Sequence, residues 1–320
     1  MKDELKFPET LQQAIKYFSD DERAFEYMKS VRWPSGKVSC PRCGCEQVSF
    51  ISTRKLWTCS KCKTKKQFTI RVGTILEDSA ISFDKWICAF WLIANAKNGV
   101  SSYEIHRALG VTQKTGWFML QRIRLAMQSG TIEKLKGEVE ADETYIGGKV
   151  RNMHVDRKRK RGRGTGGVGK AIVMGLLERK GKIKLKHVAN AKRMTVQGEI
   201  RQHVAAGSHV FTDALPSYNG LNKDFVHEAI DHAKEYVRGN VHTNGLENFW
   251  CLLKRCFKGT YVSVEPFHLF RYLDEQAFRF NERQNTDKGR FEKVISGIFG
   301  KRLTYSQLIG KNADARLLPA

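Results

Sequence analysis

Two cysteine pairs, Cys40-Pro-Arg-Cys43 and Cys59-Ser-Lys-Cys62, stand fifteen residues apart, giving the spacing C-x2-C-x15-C-x2-C. Each pair makes a tight knuckle that aims two thiolates at one ion, and Gly44 permits the positive φ such a turn often needs. The spacing predicts one tetrahedral zinc ion in a ribbon-like module. Four thiolates leave no coordination position for water, so the expected Zn2+ is structural. Cys45, a fifth cysteine in the block, stays open as a substitute for Cys43. Five of the eight cysteines lie between Cys40 and Cys62, which in a reducing compartment favours metal binding over disulfides.

The 320 residues, 41% hydrophobic, suffice for about two domains. The 56 lysines and arginines against 33 acids leave a net charge of +23, which points to a polyanionic partner. Nothing reads as a signal peptide, and the longest strongly apolar run, Trp86 to Ala94, is far shorter than the ~20 residues a membrane helix needs. An intracellular protein without membrane partners is expected.

Apolar spacing predicts a helical pair over residues 9 to 32, broken near Ser19-Asp20-Asp21, then a β-patterned cysteine block to about residue 73. From Phe83 to about Met127 a helical period returns, interrupted at Asn98-Gly99 and Gly110, which gives three helices. The last two read as a helix-turn-helix: Ser101 is an N-cap candidate, Gly110 ends one helix and Thr112 opens the next. Trp117, Leu120, Ile123, Arg124 and Met127 supply an inner face, leaving Gln113, Lys114 and Arg122 as candidate base readers. A plain helical hairpin has the same pattern.

After Gly137 the texture turns to strand and helix. Strands are expected over 138 to 146, 170 to 178, 182 to 189, 208 to 213 and 225 to 230, with helices over 195 to 205, 244 to 257 and 267 to 283. The organisation is an N-terminal helical segment (1–36), a zinc ribbon (37–76), a helix-turn-helix region (77–135), an α/β domain (136–285) and a C-terminal tail (286–320). Between the first two strands of the α/β domain, residues 151–170 read as a mobile basic loop and DNA clamp, through Arg157, Lys158, Arg159, Lys160 and Arg161. Lys63, Lys65 and Lys66 belong to a stretch from Arg54 to Arg71 that holds seven positive residues and no acid, a second phosphate-contact candidate. Gly164-Thr-Gly-Gly-Val-Gly-Lys170 imitates a P-loop, but Ala171 stands where Ser or Thr holds Mg2+, and a strand follows instead of a helix.

Three acids occupy chemically suggestive places. Asp142 lies within the strand Glu138-Val-Glu-Ala-Asp-Glu-Thr-Tyr-Ile146, and its neighbour Glu143 points to the opposite face. Asp213 ends the strand Val210-Phe211-Thr212, at a carboxyl edge where α/β sites commonly form. Glu247 sits on the helix opened by Thr243-Asn244, with Lys254 two turns further on the same side. Asn244, Glu247 and Lys254 form a polar stripe, and Phe249, Leu252, Leu253 and Cys256 anchor the helix. In-line phosphodiester cleavage needs an activated attacking oxygen and a stabilised leaving oxygen, which two Mg2+ or Mn2+ ions can supply together. Three carboxylates suit such hard cations, whereas thiolates suit zinc.

Arg32-Trp-Pro34, Cys40-Pro-Arg-Cys-Gly44, Asp142-Glu-Thr-Tyr-Ile-Gly-Gly-Lys149, Thr212-Asp-Ala-Leu-Pro-Ser-Tyr218, His242-Thr-Asn-Gly-Leu-Glu-Asn-Phe-Trp-Cys-Leu-Leu-Lys-Arg255 and Lys258-Gly-Thr-Tyr261 together resemble one known group. It is the bacterial insertion-sequence DDE transposases with an N-terminal zinc ribbon, related to the eukaryotic Merlin transposases. The resemblance runs in order over about residues 17 to 285. It implies a ribonuclease-H-like catalytic fold, metal-dependent cleavage at the terminal inverted repeats of a transposon, and attack of the freed 3′ hydroxyl on target DNA. It places the catalytic acids at Asp142, Asp213 and Glu247, with Lys254 as an accessory that contacts DNA or stabilises charge. Some relatives vary at the third acid, so Asn244 competes for that role. Double-stranded DNA, a homo-oligomer on paired ends and a nucleoid-associated place in the bacterial cytoplasm are the implied partners and location. A non-catalytic DNA-binding regulator and a nuclease without strand transfer are the alternatives.

Overall fold

Helical spacing gives way to strand alternation after Gly137, and the architecture changes in the same region. The computed structural model describes residues 6–128, 133–148, 155–156, 169–230 and 241–311. The chain forms two compact units, residues 1–128 with 284–320, and residues 129–283.

In the first unit α1 (Leu11–Phe18) and α2 (Asp21–Arg32) meet at the expected break, where Asp20 caps α2 by accepting from the Glu22 and Arg23 N–H groups. The ribbon follows as an antiparallel sheet of β1 (Val48–Ile51), β2 (Leu56–Cys59) and β3 (Gln67–Thr69), in that order. Trp57 of β2 stacks on Phe25 of α2 and on Phe68 of β3, both with centroids 5.8 Å away. Arg32 donates through Nη2 to the Val72 carbonyl at 2.6 Å, so the Arg-Trp-Pro segment ties α2 to the end of the ribbon. Three helices come next, α3 (Phe83–Asn95), α4 (Ser102–Leu109) and α5 (Gln113–Met127). Ser101 and Glu104 form a capping box at α4, Gly110 ends it at φ +60°, and Thr112 caps α5. Gly116 lets the two helices approach closely, since a Cβ there would lie 2.9 Å from the Ser102 carbonyl oxygen.

The described part of the segment expected as a tail, residues 286–311, contributes helices to this unit. α9 (Asp287–Ser296) and α10 (Tyr305–Leu308) bring in Phe291, Val294, Ile295 and Leu308, all completely buried. The Phe291 ring packs against Trp91 at 4.9 Å, with Phe18 and Tyr27 just beyond 6 Å. Apolar side chains from both chain ends thus share one core.

The second unit is a five-stranded sheet in the order β6-β5-β4-β7-β8, comprising β4 (Glu138–Ile146), β5 (Ala171–Glu178), β6 (Ile183–Val188), β7 (His209–Asp213) and β8 (Val226–Ile230). β4, β5 and β6 pair antiparallel, while β4 with β7 and β7 with β8 pair parallel. α6 (Arg193–His203) lies between β6 and β7 in sequence, and α7 (Asn244–Cys256) and α8 (Leu269–Asn281) follow β8. Alternation along the central strands sorts two cores onto the two faces. Val139, Ala141, Met174 and Leu176 join Val196 and Ile200 of α6 on one. Val173 and Leu177 join Leu246, Phe249, Trp250 and Leu253 of α7, with Leu269 and Leu273 of α8, on the other. Leu252, expected among the anchors of α7, is instead exposed, and Leu246 and Trp250 anchor the helix beside Phe249, Leu253 and Cys256. Among the described residues no helix is long and apolar enough to cross a membrane.

Candidate catalytic centre and zinc site

The four predicted thiols converge. Cys40, Cys43, Cys59 and Cys62 bring their sulfurs within 4.8 Å of one another, the one such group of ligand atoms among the described residues. Cys40 Sγ stands 3.8 Å from Cys62 Sγ, and Cys43 Sγ stands 3.6 Å from Cys59 Sγ and 3.5 Å from Cys62 Sγ. A tetrahedron with Zn–S bonds of about 2.3 Å has edges of about 3.8 Å, so the donor set fits zinc. The first knuckle closes by Gly44 N–H donating to the Cys40 carbonyl at 2.8 Å, with Gly44 at φ +70°. Cys45 lies outside the set, its sulfur 3.9 Å from Ser60 Oγ, which removes it as a substitute for Cys43. The neighbouring Cys43 thiol, first, raises the pKa of the Cys62 thiol, a shift that a bound dication would reverse. Lys63, Lys65 and Lys66 are exposed between β2 and β3.

In the second unit Asp142 lies within β4 and faces α7, where its Oδ2 accepts from Trp250 Nε1–H at 2.8 Å. Its other oxygen accepts from the Glu143 backbone N–H, also at 2.8 Å. Burial, opposed by the Trp250 bond, and then the charges of Asp213 and Glu247 push its carboxyl up to about 6. Asp213 is the last residue of β7, and Leu215 N–H donates to its Oδ1 at 3.1 Å. The parallel register pairs Glu140 with Phe211, so Asp142 and Asp213 stand two residues further along adjacent strands. Glu247 sits in the first turn of α7, exposed, and close enough for its charge to act on Asp142. Asn244 and Lys254 are exposed on the same helix.

Glu143 faces the other core, as strand alternation requires, yet it belongs to the same electrostatic cluster. Its carboxyl is pushed up to about 7, by burial first and then by the charges of Asp213 and Asp142, against the Tyr218 hydroxyl that donates to it. Glu140, two residues before Asp142 and therefore on its face, is 1% exposed and accepts from Leu246 N–H at 2.9 Å and Arg179 Nε at 3.1 Å. Sequence reasoning left out Glu140, Trp250 and Tyr218. Glu140 could have been found by its parity with Asp142. A cleft of about 800 Å3 opens toward the start of β4 beside Glu138, Arg179 and His242. Glu140 lines it, whereas Asp142, Asp213 and Glu247 are not among its lining residues.

On the helix-turn-helix candidate, Lys114 is exposed, with its Nζ 5.1 Å from the Tyr305 ring centre, and Gln113 donates to Ser102 Oγ at 2.8 Å. Arg122 does not occupy the exposed face expected for it. It is 5% exposed, with its guanidinium 4.3 Å from the Phe118 ring centre, because Tyr305 packs against Phe118 and the C-terminal segment covers this side of α5. Arg157, Lys158, Arg159, Lys160 and Arg161 lie outside the described residues.

A mixed α/β domain with a cluster of carboxylates on neighbouring elements shares one chain with a four-thiolate ribbon, which defines a zinc-ribbon-bearing metal-binding protein. Residues 134–281 match the ISXO2-like transposase domain, and residues 19–65 match the transposase zinc-ribbon domain. The chain is 30% identical over 255 residues to an uncharacterized protein in transposable element ISH50 of Halobacterium salinarum, covering 75% of this chain and 84% of that protein. An uncharacterized transposase-like protein of Haemophilus influenzae is 32% identical over 98 residues, 30% of this chain and 79% of the relative. The chain belongs to the ISXO2-like transposase family of insertion sequences, a class of nucleic-acid-processing enzymes, with its zinc ribbon on residues 19–65.

Proposed function

We propose that this protein is a DNA transposase that binds the terminal inverted repeats of its element, cleaves there with divalent metal, and joins the freed 3′ ends to target DNA. The observation that carries the reading is the placement of Asp142 and Asp213 side by side on parallel strands β4 and β7, with Glu247 on the helix packed against β4. The strand order, three antiparallel strands continued by two parallel ones, supports a ribonuclease-H-like catalytic domain.

Asp142, Asp213 and Glu247 would hold two Mg2+ or Mn2+ ions, and their oxygen-only donor set and mutually raised charge fit hard cations. When bound, such ions activate the attacking oxygen and stabilise the leaving one. In cleavage, water oxygen bonds to phosphorus as the P–O3′ bond breaks, leaving a 3′ hydroxyl and a 5′ phosphate. In joining, that 3′ hydroxyl oxygen attacks a target phosphorus and displaces a target 3′ oxygen. Asp142 is pre-oriented for this work by two N–H donors, and Asp213 by Leu215 N–H. Lys254, two turns beyond Glu247, offers a cation to the DNA backbone. Lys63, Lys65, Lys66 and Lys114 are the exposed described cations proposed to follow phosphates. Synapsis of two ends calls for a homo-oligomer on DNA.

The test is incubation of purified protein with Mg2+ and DNA carrying the cognate terminal repeats. Nicked ends and joined products are expected from the wild type and neither from Asp213→Ala. Cleavage without joining would reduce the protein to a nuclease, and binding without either product to a regulator.

A further inference from the structure

α7 bonds to β4 at two points. Leu246 N–H, in the first turn of the helix, donates to Glu140 Oε2 at 2.9 Å, and Trp250 Nε1–H donates to Asp142 Oδ2 at 2.8 Å. The first bond is a helix cap supplied from another element. The Thr243 side chain makes no cap bond to α7, and the buried Glu140 carboxylate takes that place, held by Arg179 at 3.1 Å and His242 Nδ1 at 3.5 Å. Anions at a helix N-terminus satisfy its open N–H groups and its dipole.

The spacing of the two points matches. Four residues of helix advance about 6 Å and two residues of strand about 6.6 Å, so both bonds form at one register. A shift of α7 by one residue would break both. Two glycines clear the contact points. A Cβ at Gly245 would lie 2.8 Å from Glu140 Oε2 and 2.7 Å from Leu177 Cδ2, and a Cβ at Gly175 would lie 2.7 Å from the Trp250 ring. Glu247 falls between the two bonded residues of the helix.

We infer that Glu140 and Trp250 are positioning residues for the acidic site, fixing the register of α7 on β4 and so setting Glu247 beside an oriented Asp142. This rests on the reading of Asp142, Asp213 and Glu247 as a divalent-cation site. The arrangement explains why a buried carboxylate persists where no described contact brings it to the substrate edge, and why an indole rather than a phenyl ring lies over Gly175.

The experiment is an Mn2+ titration followed by electron paramagnetic resonance, on full-length wild type and on Trp250→Phe, Gly175→Ala, Glu140→Gln, Glu140→Ala and Asp142→Asn, with thermal midpoints recorded. Trp250→Phe and Gly175→Ala should weaken Mn2+ binding about 10-fold, the usual size of effect when a ligand loses its supporting bond. Glu140→Gln, which keeps an acceptor for Leu246 N–H, should lose less than Glu140→Ala. In wild type labelled with 15N at its indoles, the Trp250 resonance, identified by its absence in Trp250→Phe, should shift on Mg2+ addition, a readout that needs no stable variant. Unchanged Mn2+ affinity in a folded Trp250→Phe, or an indole resonance that ignores Mg2+ while Asp142→Asn abolishes binding, overturns the positioning role and leaves the metal site standing. Mn2+ affinity unaltered by Asp142→Asn overturns the metal-site reading itself.

Discussion

The Tyr218 hydroxyl donates to the Glu143 carboxylate and so joins β4 to the turn that follows Asp213. Tyr218 is 1% exposed, and burial with the neighbouring Glu143 charge pushes its own ionisation well above the usual range, so it remains a donor at any working pH. The bond spans the sheet's second face and ties the Asp213 turn to the strand of Asp142. Tyr218→Phe removes the donor and leaves a buried carboxylate short of one partner, a loss of about 1–3 kcal/mol. The hydroxyl favours the ionised form of Glu143, so the loss should be larger at pH 8 than at pH 6. Urea denaturation at the two pH values checks this, and equal losses would contradict it.

Asp142 and Glu143 also predict how stability follows pH without divalent metal. Their carboxyls titrate near 6 and 7 in the folded chain, above ordinary values of 3.8 and 4.5. Between those limits the folded state binds more protons than the unfolded one, so their stabilising contribution is full below about pH 4 and lost as pH rises through 6 to 7. The expected outcome is a thermal midpoint that falls from pH 5 to pH 8 in chelator, and a smaller fall in Asp142→Asn/Glu143→Gln. Mg2+ should restore the midpoint at pH 8, because a cation favours the ionised carboxylates.

Much of this arrangement can be read along the chain, and the limits of that reading have physical causes. Strand alternation separates Asp142 from Glu143, and the end of the apolar run Val210-Phe211-Thr212 marks Asp213 as an edge residue, because both are local properties of a strand. The α7 register is not local. It depends on Trp250 meeting a glycine 75 positions earlier, Gly175, and on Glu140 meeting Leu246, contacts that periodicity does not encode. Helical spacing puts Arg122 on an exposed face because it says nothing about long-range packing: the guanidinium lies over Phe118, and Tyr305 of the C-terminal segment packs against that same ring. The same blindness made a tail of residues 286–320, whose Phe291 fills a core opened by α1, α2 and α3.

Zinc should be stoichiometric and confined to four sulfurs. Atomic absorption is expected to find one Zn2+ per chain in wild type and in Cys45→Ser, and none in Cys62→Ser, because Cys45 lies outside the sulfur cluster. Strong chelation should also raise the accessibility of Trp57 to acrylamide, since β2 ends in the ligand Cys59 and a structural zinc site contributes directly to folding. A zinc content unchanged by Cys62→Ser would refute the assignment.

Burial separates the two cations of α5 that sequence periodicity treats alike. Lys114 is exposed on the first turn of a helix-turn-helix candidate, whereas Arg122 is buried against Phe118. A side chain that follows phosphate contributes about one released counterion, so Lys114→Ala should weaken DNA binding across all sequences and reduce the slope of log K against log salt by about 1. Arg122→Ala should leave that slope unchanged and lower the thermal midpoint instead, since it removes the packing of a long side chain beneath the C-terminal segment. The pair is measured by fluorescence-anisotropy titrations of a labelled duplex over 50 to 200 mM salt. A slope that responds to Arg122→Ala and ignores Lys114→Ala would mean that DNA binding uncovers this face of α5 by displacing Tyr305, and Tyr305→Ala would then tighten binding.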